Sequence, residues 1–173
     1  DYWVVKLNSD GSVAWDNAYG GVGNDQLYNA QPTSDGGYIL AGSSDTGLGG
    51  DKTDNKVGNT DFWIIKLDAA GNIVWQNDLG GVMFDIAYSA YETTDGGYII
   101  GGTSTSGISG DKTQANFGFV DYWVVKINSS GVYEWDKTFG GASSEYLYSA
   151  IPTADGGSIL VGMADGGISG NKT

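Results

Sequence analysis

Apolar and polar positions alternate in short runs along this chain, and the runs recur. YWVVKL (2–7) is apolar on both pleat faces, with Trp3, Val5 and Leu7 on one and Tyr2 and Val4 on the other. That composition predicts a strand covered on both sides. VAWDNAY (13–19) sets Val13, Trp15 and Tyr19 against Ala14 and Asp16, which predicts a strand with one wetter face. Asp78 and Glu134 fall on that wetter face in later copies, where a solvated carboxylate is expected. LYNAQPT (27–33) carries Pro32, which gives a sheet no ladder donor and belongs on an edge. YILAG (38–42) is a short apolar run, again covered on both faces. NSDGS (8–12) and TSDGG (33–37) are tight turns signalled by Asp-Gly. A long Gly/Asp/Thr/Asn loop runs from Ser43 to Thr60, and no stretch carries a helical stripe with caps.

This pattern is written three times. DYWVVKLN opens at Asp1, DFWIIKLD at Asp61 and DYWVVKIN at Asp121, so the units are 1–60, 61–120 and 121–173, aligned without a gap. Trp3, Trp63 and Trp123 share a column, as do Trp15, Trp75 and Trp135, the Gly-Gly pairs from Gly20, Gly80 and Gly140, and Lys52, Lys112 and Lys172. An ungapped period of this length marks a repeat architecture, in which each unit buries its faces against its neighbours. Four antiparallel strands per unit predict an all-β, β-propeller-type protein with about three blade equivalents. The small residues Ala30, Ala90 and Ala150 suit the crowded innermost strand, and VAWDNAY suits the outer edge. The expected blades are 26–79, 86–139 and a split one made of 146–162 plus 1–20. Closed propellers usually have ~4–8 blades. The chain is therefore expected to be a piece of a longer array, with two alternatives: pairing with a second copy, or an open stack in which the next chain completes each half-blade.

Charge and missing residue types narrow the chemistry. The formal net charge is −13, from 21 acids and 8 lysines. Such a surface repels phosphate backbones and anionic lipid, so nucleic acid is not an expected partner. No apolar run reaches the length of a membrane span, and membrane insertion is not expected either. Histidine and cysteine are absent, which removes the commonest general base, the commonest zinc ligand and all thiol chemistry. No nucleophile-elbow, zinc-protease or phosphate-loop pattern is present. The chain is expected to be non-enzymatic.

Up-and-down strands place the Gly-Gly segment 20–26 and the long loop 43–60 on one side of the assembly, the natural place for a binding site. There a repeated acid, Asp25, Asp85 and Glu145, would form a rim able to hold a cation or ligand, or would accept backbone donors at a strand start. Asp45, Asp51, Asp54 and Asp111 are oxygen ligands of the kind calcium takes, although the spacing of a known calcium loop is lacking. The regular tryptophans are expected to pack one repeat against the next. Phe84, Phe117, Phe119 and Tyr146 recur less regularly and are the candidates for stacking on a sugar ring.

The motifs DYWVVKLN with a glycine at 11 and 131, WDKTFGG (135–141), TxDGGYI (93–99) and GISGDKT (107–113) resemble secreted β-propeller-like repeats of Bacteroidetes surface proteins. The likeness covers essentially the whole chain. It implies an extracellular or cell-surface location, often reached through a type IX secretion system. The expected role is a structural or interaction module for adhesion or scaffolding, whose partners are other repeats or copies of the same protein. The alternatives are a carbohydrate-binding lectin, with glycans as partners, and a filament subunit assembled by strand exchange.

Overall fold

The computed structural model describes all 173 residues and contains no helix. Twelve strands run β1 (Tyr2–Leu7), β2 (Val13–Tyr19), β3 (Asp25–Pro32), β4 (Tyr38–Ser44), β5 (Asp61–Leu67), β6 (Ile73–Leu79), β7 (Asp85–Glu92), β8 (Tyr98–Ser104), β9 (Asp121–Ile127), β10 (Tyr133–Phe139), β11 (Glu145–Pro152) and β12 (Ser158–Ala164). All pairing between these strands is antiparallel. Strands β3-β4-β5-β6 and β7-β8-β9-β10 form four-stranded sheets, whereas β1-β2 and β11-β12 form separate two-stranded sheets. The pairs expected to join as a split blade are therefore not joined, and no ring of strands closes.

The four sheets stack in chain order. Double-faced strands make this work, because each complete sheet has an apolar residue set on both sides. On β5, Trp63, Ile65 and Leu67 face back onto Tyr2 and Tyr19 of the first pair. Phe62 and Ile64 face forward onto Ala87, Ala90, Trp123 and Val125 of the next sheet. A third cluster, Ile99, Val124, Leu147 and Ala150, joins that sheet to the last pair. Aromatic pairs repeat at the seams, with Tyr2–Trp63 and Phe62–Trp123 both at 4.6 Å between ring centroids. The outer tryptophans are packing residues too. Trp15 Nε1 donates to Ala69 O and Trp75 Nε1 to Ser129 O, each at 3.2 Å across to the next sheet's turn.

Two bulges per repeat were not anticipated from strict alternation. One lies in the inner strand, where Leu27 pairs with Gly42 and Asn29 with Ala41, leaving Tyr28 unpaired. The same happens at Tyr88 and Tyr148. A bulge re-aims its side chain, and these three rings meet in a row, Tyr28–Tyr88 at 4.9 Å and Tyr88–Tyr148 at 6.2 Å. The other bulge lies in the outer strand, where Lys66 pairs with Trp75 and Leu67 with Ile73. It shifts the phase of every later side chain. Trp75 and Leu79 then face the forward core, and Ile73 joins the preceding one. Gln76 and Asp78 turn towards loop residues Asp51 and Lys52. Asp78 is consequently buried rather than solvated as expected.

The seams give a first prediction. Trp75→Phe loses the bond to Ser129 and should cost about 1 kcal/mol of unfolding free energy. Trp135, half exposed and without the turn carbonyl that Trp15 and Trp75 donate to, should tolerate the same change to within ~0.5 kcal/mol. Chemical denaturation of both variants measures the difference.

Candidate functional site

The Gly-Gly segments and the long loops meet at one end of the stack, and their bonding is the same at each joint. The loop's Asp51 N–H donates to Gly20 O at 2.8 Å, and Gly20 N–H donates back to Asp51 Oδ2 at 3.1 Å. Asp111 clasps Gly80 in the same two ways, at 2.9 and 3.2 Å. Asn171 does so with Gly140, at 3.1 and 2.8 Å, because an amide oxygen accepts as a carboxylate does. This accounts for the Gly-Asp-Lys-Thr motif and for its third copy reading Gly-Asn-Lys-Thr. The second glycine of each pair is held by the acid that opens the inner strand. Gly21, Gly81 and Gly141 donate to Asp25, Asp85 and Glu145 at 2.8, 2.7 and 2.7 Å.

The glycines are sterically required. A Cβ on Gly80 would lie 2.1 Å from Asp61 Oδ1, and one on Gly21 would lie 2.4 Å from Thr46 Oγ1. Asp61 and Asp121 themselves gather the loop end. Asp61 accepts N–H from Val57 and Gly58, and Asp121 accepts from Phe117 and Gly118. The aspartates that open the second and third of these strands are thus loop clamps, a role their sequence position did not disclose. Burial raises the pKa of Asp61, Asp85 and Asp121. Asp25, Asp61, Asp85 and Asp121 each keep one buried oxygen without a partner.

The expected acidic rim is therefore corrected. Asp25, Asp85 and Glu145 lie beneath the surface as backbone acceptors, and Glu145 also pairs with Lys172 at 2.8 Å. The calcium candidates disperse. Asp45 accepts from Asn24 N and Nδ2, both at 2.8 Å, and these bonds hold its carboxyl below the usual range. Asp51 and Asp111 hold the clasps, and Asp54 accepts from its neighbour Asn55. No three acids converge into one cluster.

Buried lysines complete the joints. Lys52 Nζ lies 2.5 Å from Asp78 Oδ1 with both side chains fully buried, and 4.7 Å above the centre of the Trp63 ring. Burial outweighs this pairing and raises Asp78 to about 6. In the next repeat Lys112 donates instead to Thr138 Oγ1 at 2.5 Å and Gln114 O at 2.7 Å. Asp136 takes over as acceptor for Thr113, Trp123 Nε1 and Tyr133 Oη.

Phe84, Phe117 and Phe119 are exposed, and Tyr146 is half-buried. They divide between two joints. Phe84 N–H donates to Thr105 Oγ1 and Phe84 bridges Thr60, whereas Phe119 N–H donates to Ser143 O, near Tyr146. The tyrosine row, with Tyr28 and Tyr148 exposed, is an accessible aromatic set that position alone did not single out. Its signal was the recurring column itself. No protein-family model and no curated protein matches the chain.

Removing one member of the Lys52–Asp78 pair separates charge from packing. Lys52→Met leaves a buried carboxylate uncompensated and should cost about 3–5 kcal/mol at pH 7. Gln76→Asp/Asp78→Thr copies the arrangement at Asp136 and Thr138 and should cost less than half as much in the same denaturation experiment.

The fold should also have an acid-shifted stability optimum. At Asp78 the folded chain binds more protons than the unfolded chain between about pH 4 and 6, so stability falls as pH rises through that window. Asp35 acts oppositely. Bonds from Thr33, Lys66 and Gly37 hold it at about 2. Its contribution is complete above about pH 4 and is lost as pH falls towards 2. Melting temperature between pH 2 and 8 should peak at about 4–5, and Asp78→Thr should flatten the neutral-side slope.

Proposed function

We propose that this chain is a non-catalytic structural and interaction module of a bacterial surface protein: a propeller-type scaffold, exposed outside the cell, used for adhesion or as a spacer within a longer repeat array. The observation that carries this reading is the fate of the recurring polar residues. Asp25, Asp51 and Asp61, with Asp85, Asp111, Asp121 and Glu145, accept mainly from backbone N–H groups at the joints, and Lys52 is taken up by the buried Asp78. Recurrence here serves assembly. Of the five acids with raised pKa, Asp61, Asp85, Asp111 and Asp121 are held by backbone N–H groups in the clasps, and Asp78 is paired with the buried Lys52. That is a structural cause for perturbed carboxylates, which elsewhere point to catalysis.

The resemblance to secreted Bacteroidetes repeats supports the location and the array. A lectin is the second reading, favoured by the exposed Phe84, Phe117 and Phe119 and by the tyrosine row. Aromatic faces of this kind stack on sugar rings through their apolar surfaces.

One experiment separates these readings. The immobilised chain is tested against a glycan array and a panel of extracellular proteins, beside Phe84→Ser/Phe117→Ser/Phe119→Ser and Tyr28→Ser/Tyr148→Ser variants. Protein binding that falls at least ~10-fold in the phenylalanine variant, a loss of about 1.4 kcal/mol, supports the interaction module. Glycan binding abolished by either variant moves the assignment to a lectin. Turnover of chromogenic glycosides or esters, lost on Asp85→Asn, would overturn the non-catalytic reading.

A further inference from the structure

The two incomplete sheets are the two halves of one sheet. In both complete sheets the second strand pairs with the third in one register: Leu40 with Ile65, Ala41 with Ile64 and Gly42 with Trp63, then Ile100 with Val125, Gly101 with Val124 and Gly102 with Trp123. By column, β12 is a second strand without a third, and β1 is a third strand without a second. We infer that β12 pairs antiparallel with the β1-type strand of a neighbouring unit, here a second copy of residues 1–173, with Leu160 opposite Val5, Val161 opposite Val4 and Gly162 opposite Trp3. This rests on the structural-module reading and deepens it by naming the register in which one unit of an array joins the next.

Burial supports the match column by column. Trp63 and Trp123 are 0% exposed, whereas Trp3 is 69% exposed. Ile39 and Ile99 are 0% and 1% exposed, whereas Ile159 is 55% exposed. Val5, Leu7 and Val161 are likewise exposed although their counterparts in the complete sheets are buried. Each end also carries the cleft that the other end would fill. A hollow of about 200 Å³ beside β12 is lined by Val124, Trp135, Phe139 and Leu160, where Trp3, Val5 and Leu7 of the next copy would enter. A hollow of about 220 Å³ beside β1 is lined by Val4, Ala30 and Leu40, where Ile159 and Val161 would enter. Tyr2 sets its hydroxyl on Trp63 O at 2.8 Å and its ring on Trp63. Tyr122 occupies the same column and awaits Trp3.

The edges themselves discriminate. Inner edge strands β3 and β11 are blunted by Pro32 and Pro152 and by the tyrosine bulges. The open edges are not: β12 carries no charged residue and no proline, and β1 carries one lysine. A contact between two different patches is head-to-tail, so it builds a ring if the rotation closes and a filament if it does not. A net charge of −13 on each copy opposes approach, and salt screens that repulsion.

The chain has no cysteine, so introduced pairs report the register cleanly. Val4→Cys and Val161→Cys chains are mixed and oxidised, beside a Leu7→Cys and Val161→Cys mixture that is out of register. The expected result is a 4–161 crosslink between chains at least ~5-fold above the control. Sedimentation of the unmodified 173-residue chain should show mass rising with concentration and with salt. Ile159→Lys alters a side chain exposed in the free chain, so it should weaken association at least ~10-fold without changing the circular dichroism. A single monomer mass at all concentrations overturns the inference. So does a Val4→Cys/Val161→Cys double variant that crosslinks only within one chain. Either failure leaves the loop-face binding result standing, so the two readings fail separately.

Discussion

Each joint of this fold depends on two adjacent glycine N–H groups caught by two acceptors from different parts of the chain. At the second joint Gly80 donates to Asp111 of the following loop and Gly81 to Asp85 of the following strand. Both glycines sit where an outer strand has ended and its backbone donors have no ladder partner. Buried backbone donors must be satisfied, and a sheet boundary is where they are hardest to satisfy. The clasp meets that demand and sets the spacing between sheets at the same time. Its tightness leaves no room for a Cβ, because Asp61 packs against Gly80 on the other side. Loop position, sheet stacking and the depth of the lysine follow from it.

The variation between joints shows which parts of this arrangement are strict. Backbone-directed bonds recur in all three copies with only conservative exchange, Asp to Asn at 171 and Asp to Glu at 145. Side-chain partners of the buried lysine do not: an aspartate at 78 becomes a threonine at 138, and a glutamine at 76 becomes an aspartate at 136. The negative charge has moved two residues along the same strand. A buried ammonium requires hydrogen-bond acceptors and a nearby negative charge, and it is indifferent to which side chain supplies each.

Much of the fold was legible because period-2 patterning is a strong signal when both faces are apolar. YWVVKL and its copies read as double-faced strands, and β5 and β9 are buried along nearly their whole length. The outer strand was misread at Asp78 because a bulge at the residue after Ile73 changes the phase, and nothing in IVWQND marks it. The inner bulge was equally hidden, although the tyrosine it projects recurs at 28, 88 and 148. On the candidate site, the repeated acids before the inner strand were visible, and the reading in which they accept backbone donors describes what they do. The calcium grouping failed because nearness along a loop does not make side chains converge. Asp45 is taken up by Asn24 and Asp51 by Gly20, each as a separate backbone acceptor.

The same logic explains why the ends of residues 1–173 differ from every other surface of the molecule. In a stack where each unit contacts only its neighbours, burying a unit's two faces is the work of two different neighbours. Tyr2 and Val4 have theirs, in the sheet that follows; Trp3, Val5 and Leu7, on the opposite face of the same strand, do not. Exposure of alternate residues within one strand cannot come from a loose or frayed end, which would expose both faces together. It comes from a strand built to be covered twice and covered once. DYWVVKLN at Asp1 is the same strand as at Asp61 and Asp121, with one layer of its environment supplied and one still open.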